Sequence, residues 1–395
     1  MNSYEDVHFR PMRVLMINWF DWTHPLWGGA EVYLRETARR LVARGHDVWL
    51  IASTYAGCAG EEVLDGVRVV RRGHFWTYAV ELPWHYRRLV RERGAFDVVV
   101  EYTNKVPLLA PWWAGCPVVA VAHHLWGRAI FAESALPVAT AVWASESLIP
   151  LAYRRVPWLA VSPSTRDALV ARGIEAQAIA LAPNGIAIPN GPAWPAWDGA
   201  PRVVWVGRVR TYKRLDLLLR AMAHVRTAVP HASLDVVGDG PALSATRALA
   251  TALGLTDGVV TFHGAIGDAA RDAVVGRAAL VAQPSLIEGW GRTVLEAAVL
   301  GVPSVVANVP GLRDAVVDGQ TGTIVDGDRP ESFGEAIVRM VTDRAFRARL
   351  GRRAADHARG FGWEAATDAT EAALTAAVQG SMAPPVATAA KAWRG

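Results

Sequence analysis

The chain has 395 residues, 52% of them apolar, and a formal net charge of +4. That length admits two domains with separate cores, and no apolar run long enough to span a bilayer is free of charge, Gly or Pro. Cys58 and Cys116 give neither a disulfide framework nor a metal spacing, and the mild basic balance comes without a basic-aromatic tract for nucleic acid.

The opening segment MNSYEDVHFRPMR lacks the positive and apolar regions of a signal peptide, so a cytoplasmic location is expected. Residues 13–18 (RVLMIN) read as a buried strand, followed by Gly28-Gly29-Ala30-Glu31. A helical pattern comes next, with Leu34, Ala38, Leu41 and Val42 on one face, closing at Gly45. Residues 47–51 form a second strand. Strand, glycine loop, helix and strand make a βαβ unit and predict a parallel sheet. The glycine pair lacks the GxGxxG spacing, so it serves a turn as readily as a phosphate.

Residues 67–94 interleave arginines with aromatics. Trp84, Arg87, Arg88 and Arg91 recur at near-helical spacing, which suits an anionic lipid surface, a phosphorylated acceptor or plain solvent. Residues 96–100 and 118–122 are further strands. The second ends in His123-His124, where open α/β sheets place their ligands. Adjacent histidines on one strand point to opposite faces and make poor joint metal ligands. Residues 129–160 are apolar and Ala-rich but cut by Pro137, Pro150 and Pro157, so broken helices are expected rather than a span. A strand at 158–161, a helix headed by Ser162 and Ser164, and the segment IALAPNGI at 179–186 lead to a Pro- and Gly-rich linker ending at Pro201.

The second half opens with a strand at 202–206 that delivers Gly207-Arg208. Lys213 follows, then an amphipathic helix with Leu215, Leu218, Leu219, Met222 and Val225. Strands are expected at 234–238, 259–264 and 280–283. Residues 284–306 then read as turn, Gly289-Trp290-Gly291 loop, Arg292-Thr293, and a helix with Val294, Leu295, Ala298 and Val299 inward. The helix stops at Gly301 and Pro303 before a strand at 304–306. The amides of residues 289–293 should lie at a helix N-terminus, which favours a phosphate. The flanking carboxylates, Glu288 and Glu296, suit hydroxyls instead, and a nucleotide sugar offers those on both ribose and hexose. Asp326-Gly327-Asp328 reads as a turn, and the tail from Gly380 as disordered.

Two glutamates eight positions apart around a Gly-aromatic-Gly loop, then Leu-Glu-Ala and Gly-Val-Pro, resemble the donor-site signature of the family 4 retaining glycosyltransferases. Gly207-Arg208 and Lys213, some 80 residues before Glu288, match the same family, and the likeness covers about residues 13–379. It implies an α/β fold of two facing Rossmann-like domains with parallel sheets, the GT-B architecture. Residues 1–190, joined by a crossover helix at 361–379, would form the acceptor-side domain; residues 201–360 would bind the donor, and 380–395 would be the tail.

By the same resemblance, Arg208 and Lys213 meet the donor pyrophosphate, whose charge grows as the nucleotide leaves. Glu288 takes the hexose hydroxyls and Glu296 the ribose, while His123 lies near the reacting carbon. Gly28 and Gly29 face the cleft, and Gly207, Gly289, Trp290, Gly291, Arg292 and Thr293 surround the donor. Arg292 stands where many relatives have an aliphatic residue, as either a third phosphate contact or a solvent-facing side chain.

The expected activity is retaining transfer of a sugar from a UDP- or GDP-linked donor to a hydroxyl of a glycan, lipid-linked or small-molecule acceptor. No metal, further cofactor or nucleic acid is expected, and peripheral contact with the inner face of the membrane stays open. The rival readings are a nucleotide-sugar epimerase or hydrolase on the same architecture, and a non-catalytic nucleotide-sugar-binding relative.

Overall fold

β-branched and aliphatic runs bounded by Gly, Asp and Pro form strands, and the central ones are buried on both faces, as parallel sheets covered by helices require. A computed structural model describes residues 10–104, 106–132, 134–188, 197–256 and 258–381. The first sheet contains β1 (Arg13–Ile17), β2 (Asp47–Ala52), β3 (Glu61–Leu64), β4 (Val67–Arg71), β5 (Val98–Tyr102), β6 (Val118–Ala122), β7 (Trp158–Ala160) and β8 (Ile179–Leu181). The second contains β9 (Arg202–Val206), β10 (Ser233–Val237), β11 (Val260–Gly264), β12 (Leu280–Gln283), β13 (Ser304–Ala307) and β14 (Gly322–Val325).

The strand orders are β3-β4-β2-β1-β5-β6-β7-β8 and β11-β10-β9-β12-β13-β14. Each sheet winds outward in both directions from its first strand, so strand order reverses between β1 and β5 and between β9 and β12. In doubly wound sheets, ligands bind outside the carboxyl ends at that reversal. All pairings are parallel except β3 with β4. That hairpin turns at Asp65 and Gly66, both at positive φ (50° and 82°), and a Cβ on Gly66 would lie 2.7 Å from Val42. Asp-Gly between short strands is a hairpin signal that the reading of the sequence passed over.

The stretch 67–94 resolves into β4 and the helix Tyr78–Arg93, which buries Tyr78, Leu82, Tyr86 and Leu89. The expected broken helices are two 3-10 segments, Gly127–Ala132 and Glu146–Leu148, the helix Leu136–Ser145 and the short helix Ile149–Ala152, with Pro137 and Pro150 in the first turns of the two helices. Among the described residues, no helix is long and apolar enough to cross a membrane. Residues 189–196 of the expected linker and 382–395 of the expected tail lie outside the described residues.

After the second sheet the chain returns to the first. The helix Trp363–Val378 buries Trp363, Ala366, Ala369, Ala373 and Leu374 against β5–β8 and the helix Gly29–Ala43. Ion pairs from Arg40 to Glu364 (2.8 Å) and from Arg44 to Asp368 (2.7 Å) and Glu371 (2.6 Å) edge the contact. Trp290, Leu295 and Ala298 join the same apolar cluster, so the two halves share part of a core.

Candidate active site

The carboxyl ends of the two sheets meet, and the loops leaving β1, β6, β9 and β12 touch one another. Arg208 Nη1, beyond β9, donates to the Leu26 carbonyl at 3.5 Å. The Tyr212 ring stands edge-on to Trp126 at 6.2 Å. At the tightest point, a Cβ on Gly289 would lie 2.5 Å from the His123 carbonyl oxygen. On the far side, Ser164 donates its amide (3.2 Å) and hydroxyl (3.0 Å) to the Asp314 carboxylate.

Lys213 and Glu288 form the polar centre of this cleft. Lys213 follows β9 in a 3-10 turn, and Glu288 follows β12, the strand paired with β9. Their side chains are 14% and 17% exposed, and Nζ lies 2.5 Å from Oε1. Burial alone would push the ammonium pKa down. The Glu288 carboxylate and Tyr212 outweigh burial and hold it above the ordinary lysine value, so the charge persists. Ser285 Oγ donates to the same Oε1 at 2.7 Å, which leaves Oε2 to accept from a hydroxyl.

The glycine loop is built by close backbone contacts. Gly311, at φ 81°, lets its chain lie on the Glu288 carbonyl, 2.3 Å from where a Cβ would sit. Its own carbonyl accepts the Gly291 amide at 3.3 Å. The helix Arg292–Val299 then starts with Gly291 as its N-cap. The Gly291 amide is committed to Gly311, whereas the first amides of the helix, at Arg292 and Thr293, precede its i→i−4 ladder. The Thr293 hydroxyl accepts from Gln283 Nε2 at 3.3 Å, and that nitrogen also donates to the Val206 carbonyl at 2.6 Å.

Three expected donor contacts sit differently from the sequence reading. The Trp290 ring is buried edge-on to Phe361 (5.1 Å), and its Nε1 donates to the Asn184 carbonyl at 3.1 Å. The ring thus ties the two halves together. Arg292 neither stands alone nor faces solvent: Nε pairs with Glu296 at 2.9 Å, and Nη1 is buried without a hydrogen-bond partner among the described residues. Glu296 is also 3.8 Å from Arg271 and so sits between two guanidiniums. The Gly207 amide is committed to the Val237 carbonyl at 3.0 Å.

Residues 27–188 match the family described as Glycosyltransferase Family 4, and residues 193–357 match the one described as Glycosyl transferases group 1. The D-inositol 3-phosphate glycosyltransferase of Streptomyces avermitilis is 31% identical over 397 residues, covering 89% of this chain and 84% of that one. The chain belongs to the family 4 glycosyltransferases. Among solved structures, sucrose-phosphate synthase from Thermosynechococcus elongatus matches with a TM-score of 0.74 at 21% identity, over 91% of this chain and 97% of that one. Anabaena HepE, solved with UDP and glucose, matches at 0.71 and 19%, over 92% and 100%. The facing sheets are the GT-B architecture. As a family 4 glycosyltransferase, the protein moves a sugar from a nucleotide-sugar donor to an acceptor hydroxyl with retention of configuration.

On the first domain's side of this glycosyltransferase, His123 is buried edge-on to Tyr33 (5.2 Å) and stacked on Tyr102 (6.3 Å). Its Nε2 is buried with no hydrogen-bond partner among the described residues. Burial, with a smaller push from His124, lowers its pKa to about 3, so the ring is neutral at pH 7. The unfolded chain therefore takes up a proton below pH 6.5 that the folded chain refuses. Stability present at neutral pH is lost as pH falls from 6.5 toward 3, by about 2 kcal/mol at pH 5 for this group. Urea unfolding at pH 7 and pH 5 should show the parent losing about that much more than His123→Gln. Equal losses would refute the buried neutral ring.

Glu31 is the residue organising the glycine loop that the sequence reading missed. Its carboxylate accepts from the Gly28 amide (2.7 Å) and from Asn18 Nδ2 (3.2 Å), and Asn18 Oδ1 accepts from Asn104 Nδ2 (2.7 Å). The Gly28 amide is thus used within the loop, whereas a methyl on Gly29 would meet nothing within 4 Å. The Gly-Gly-Ala-Glu spelling was the available signal, since Glu31 stands at N3 where it reaches back to the N-cap. Ser285 was equally visible beside Pro284 but read only as a turn. Among the described residues, no three His, Cys, Asp or Glu side chains converge as a metal site. Asp326 accepts from Asn308 Nδ2 at 2.6 Å, and Asp328 faces Arg214 at 3.6 Å.

Proposed function

We propose that the cleft takes a UDP- or GDP-linked hexose, with Lys213 and Arg208 on its pyrophosphate beside the N-terminus of the helix Arg292–Val299. Glu288 Oε2 accepts from the hexose hydroxyls, Glu296 from the ribose, and Arg292 Nη1 supplies a further donor hydrogen bond. The neutral His123 lies across the cleft from that helix, near the reacting carbon. With retention, the acceptor hydroxyl approaches on the face the nucleotide leaves, and the leaving phosphate oxygen takes its proton. The protein's contribution is positioning and charge stabilisation. The single observation that carries this reading is the Lys213–Glu288 pair, a cation and a half-free carboxylate held 2.5 Å apart at the strand-order reversal.

The acceptor hydroxyl belongs on the first domain's side of the cleft, on a glycan, a lipid-linked molecule or a small polyol. Relatives at 29–39% identity are named D-inositol 3-phosphate glycosyltransferases, which makes D-inositol 3-phosphate the first acceptor to assay. A panel of UDP- and GDP-hexoses, each offered with that acceptor in excess chelator, tests the reading. Transfer should persist, because Lys213, Arg208 and the helix N-terminus meet the donor charge. Activity lost to chelator and restored by manganese would move the donor charge onto a metal and give Asp326 and Asp328 a role. Donor breakdown without acceptor product would instead favour the hydrolase reading.

A further inference from the structure

The helix Tyr78–Arg93 carries two opposite faces. One packs Tyr78, Leu82, Tyr86 and Leu89 into the first domain. The other holds Val80 and Trp84, 70% and 62% exposed, with Trp76 just before the helix at 73%. Arg87 and Arg91 continue the same line, and at 3.6 residues per turn Val80, Trp84, Arg87 and Arg91 fall within a sector of about 60°. Arg91 Nε donates to the Arg87 carbonyl at 3.3 Å, and among the described residues neither guanidinium has a carboxylate partner. Arg88, about 40° outside the sector, is tied to Glu92 at 2.7 Å.

We propose that this face docks on an anionic phospholipid bilayer. A solvated helix face has no use for an exposed valine and tryptophan one turn apart, with a second exposed tryptophan just before the helix. At a membrane interface, an indole places its apolar body in the acyl boundary and its N–H among the headgroups. Arginines beside it lay their stems along the same boundary and reach lipid phosphates. A 16-residue helix, about 24 Å long, lies in the interface plane and does not cross it.

The face is connected to the cleft. Trp76 stands edge-on to Phe75 (4.9 Å), Phe75 stacks on Phe20 (5.8 Å), and Phe20 stacks on His24 (3.9 Å). His24 belongs to the loop whose Leu26 carbonyl receives Arg208. A docked enzyme would therefore present the acceptor side of its cleft close to the bilayer, which selects a lipid-linked acceptor; that last step rests on the transfer reading above.

The test is co-sedimentation of the full chain with vesicles of phosphatidylcholine alone or mixed with phosphatidylglycerol, at low and high salt and without donor. Binding should require the anionic lipid and fall as salt rises. Arg87→Gln with Arg91→Gln should weaken it by about 30-fold, from the contribution of each basic residue at such a surface. Val80→Ser with Trp84→Ser should abolish it, while UDP and GDP affinities match the parent in both variants. Equal binding to neutral and anionic vesicles, or parent-like binding by either variant, overturns the proposal. So does a lipid-free dimer that Val80→Ser with Trp84→Ser dissociates, since the face would then belong to a second copy. Because no donor is present, failure here is separable from failure of the donor assignment.

Discussion

Lys213→Ala will bind UDP or GDP about 1.5–3 kcal/mol more weakly than the parent, the range for a hydrogen bond to a charged group. Transfer will fall further, by about 10²–10³ in rate, because negative charge on the leaving phosphate grows in the transition state. The ammonium is mostly buried 2.5 Å from Glu288, so truncating it also leaves a carboxylate with Ser285 as its remaining partner. That second effect lowers stability and needs separating from the first. Glu288→Gln added to Lys213→Ala removes the stranded charge and should restore stability without restoring nucleotide binding. Titration calorimetry with both nucleotides, alongside urea unfolding of the parent and both variants, gives the answer. Parent-like affinity in Lys213→Ala would remove Lys213 from the pyrophosphate site.

Gly289→Ala should reduce transfer by at least about 100-fold while the chain still folds. The added methyl would sit 2.5 Å from the His123 carbonyl oxygen and 3.1 Å from its carbon. Those are backbone atoms that no rotamer change can move. The loop carrying Glu288 must back away from the first domain, and a misplacement of about 1 Å in a positioned site costs on the order of 10² in rate. Overpacking of this kind costs about 1–3 kcal/mol of stability. Gly267→Ala is the matched control: it has negative φ and nothing within 4 Å of the added methyl. Initial rates and thermal unfolding of the two variants decide it, and a Gly289→Ala enzyme with parent-like kcat would mean the two backbones are free to separate.

The sheets were legible because each strand is a short aliphatic run closed by turn residues, and the glycine loops lie at their carboxyl ends. The residues of the cleft were legible where the signature is local: Glu288, Lys213 and Arg208 all leave strand ends that the hydrophobic pattern marks. The burial of the Trp290 ring was not legible, because Gly-Trp-Gly looks like a binding loop in sequence. Its partner Asn184 is 106 positions away, and no periodicity encodes a pairing at that range. The pairing of Ser164 with Asp314, 150 positions apart, was invisible for the same reason. Glu296 shows a subtler limit. An Arg four residues earlier is an ordinary helical ion pair, yet Arg292 was weighed only against phosphate and solvent. The Asp-Gly hairpin was readable and missed, since β3 is short, charged and half exposed.

The return of the helix Trp363–Val378 to the first sheet has a consequence for synthesis. Strands β5–β8 are complete once Leu181 has emerged from the ribosome, but the helix that covers them lies about 180 residues downstream. At elongation of roughly 5–20 residues per second, that interval is on the order of ten to forty seconds. Throughout it the nascent sheet exposes the side chains that Ala366, Ala369, Ala373 and Leu374 later bury. The first half of the enzyme to be made is therefore the last to be closed. A nascent chain stalled before Trp363 would present that apolar face to chaperones, whereas the second sheet is followed at once by its own covering helices, Pro330–Thr342 and Arg344–Ala358.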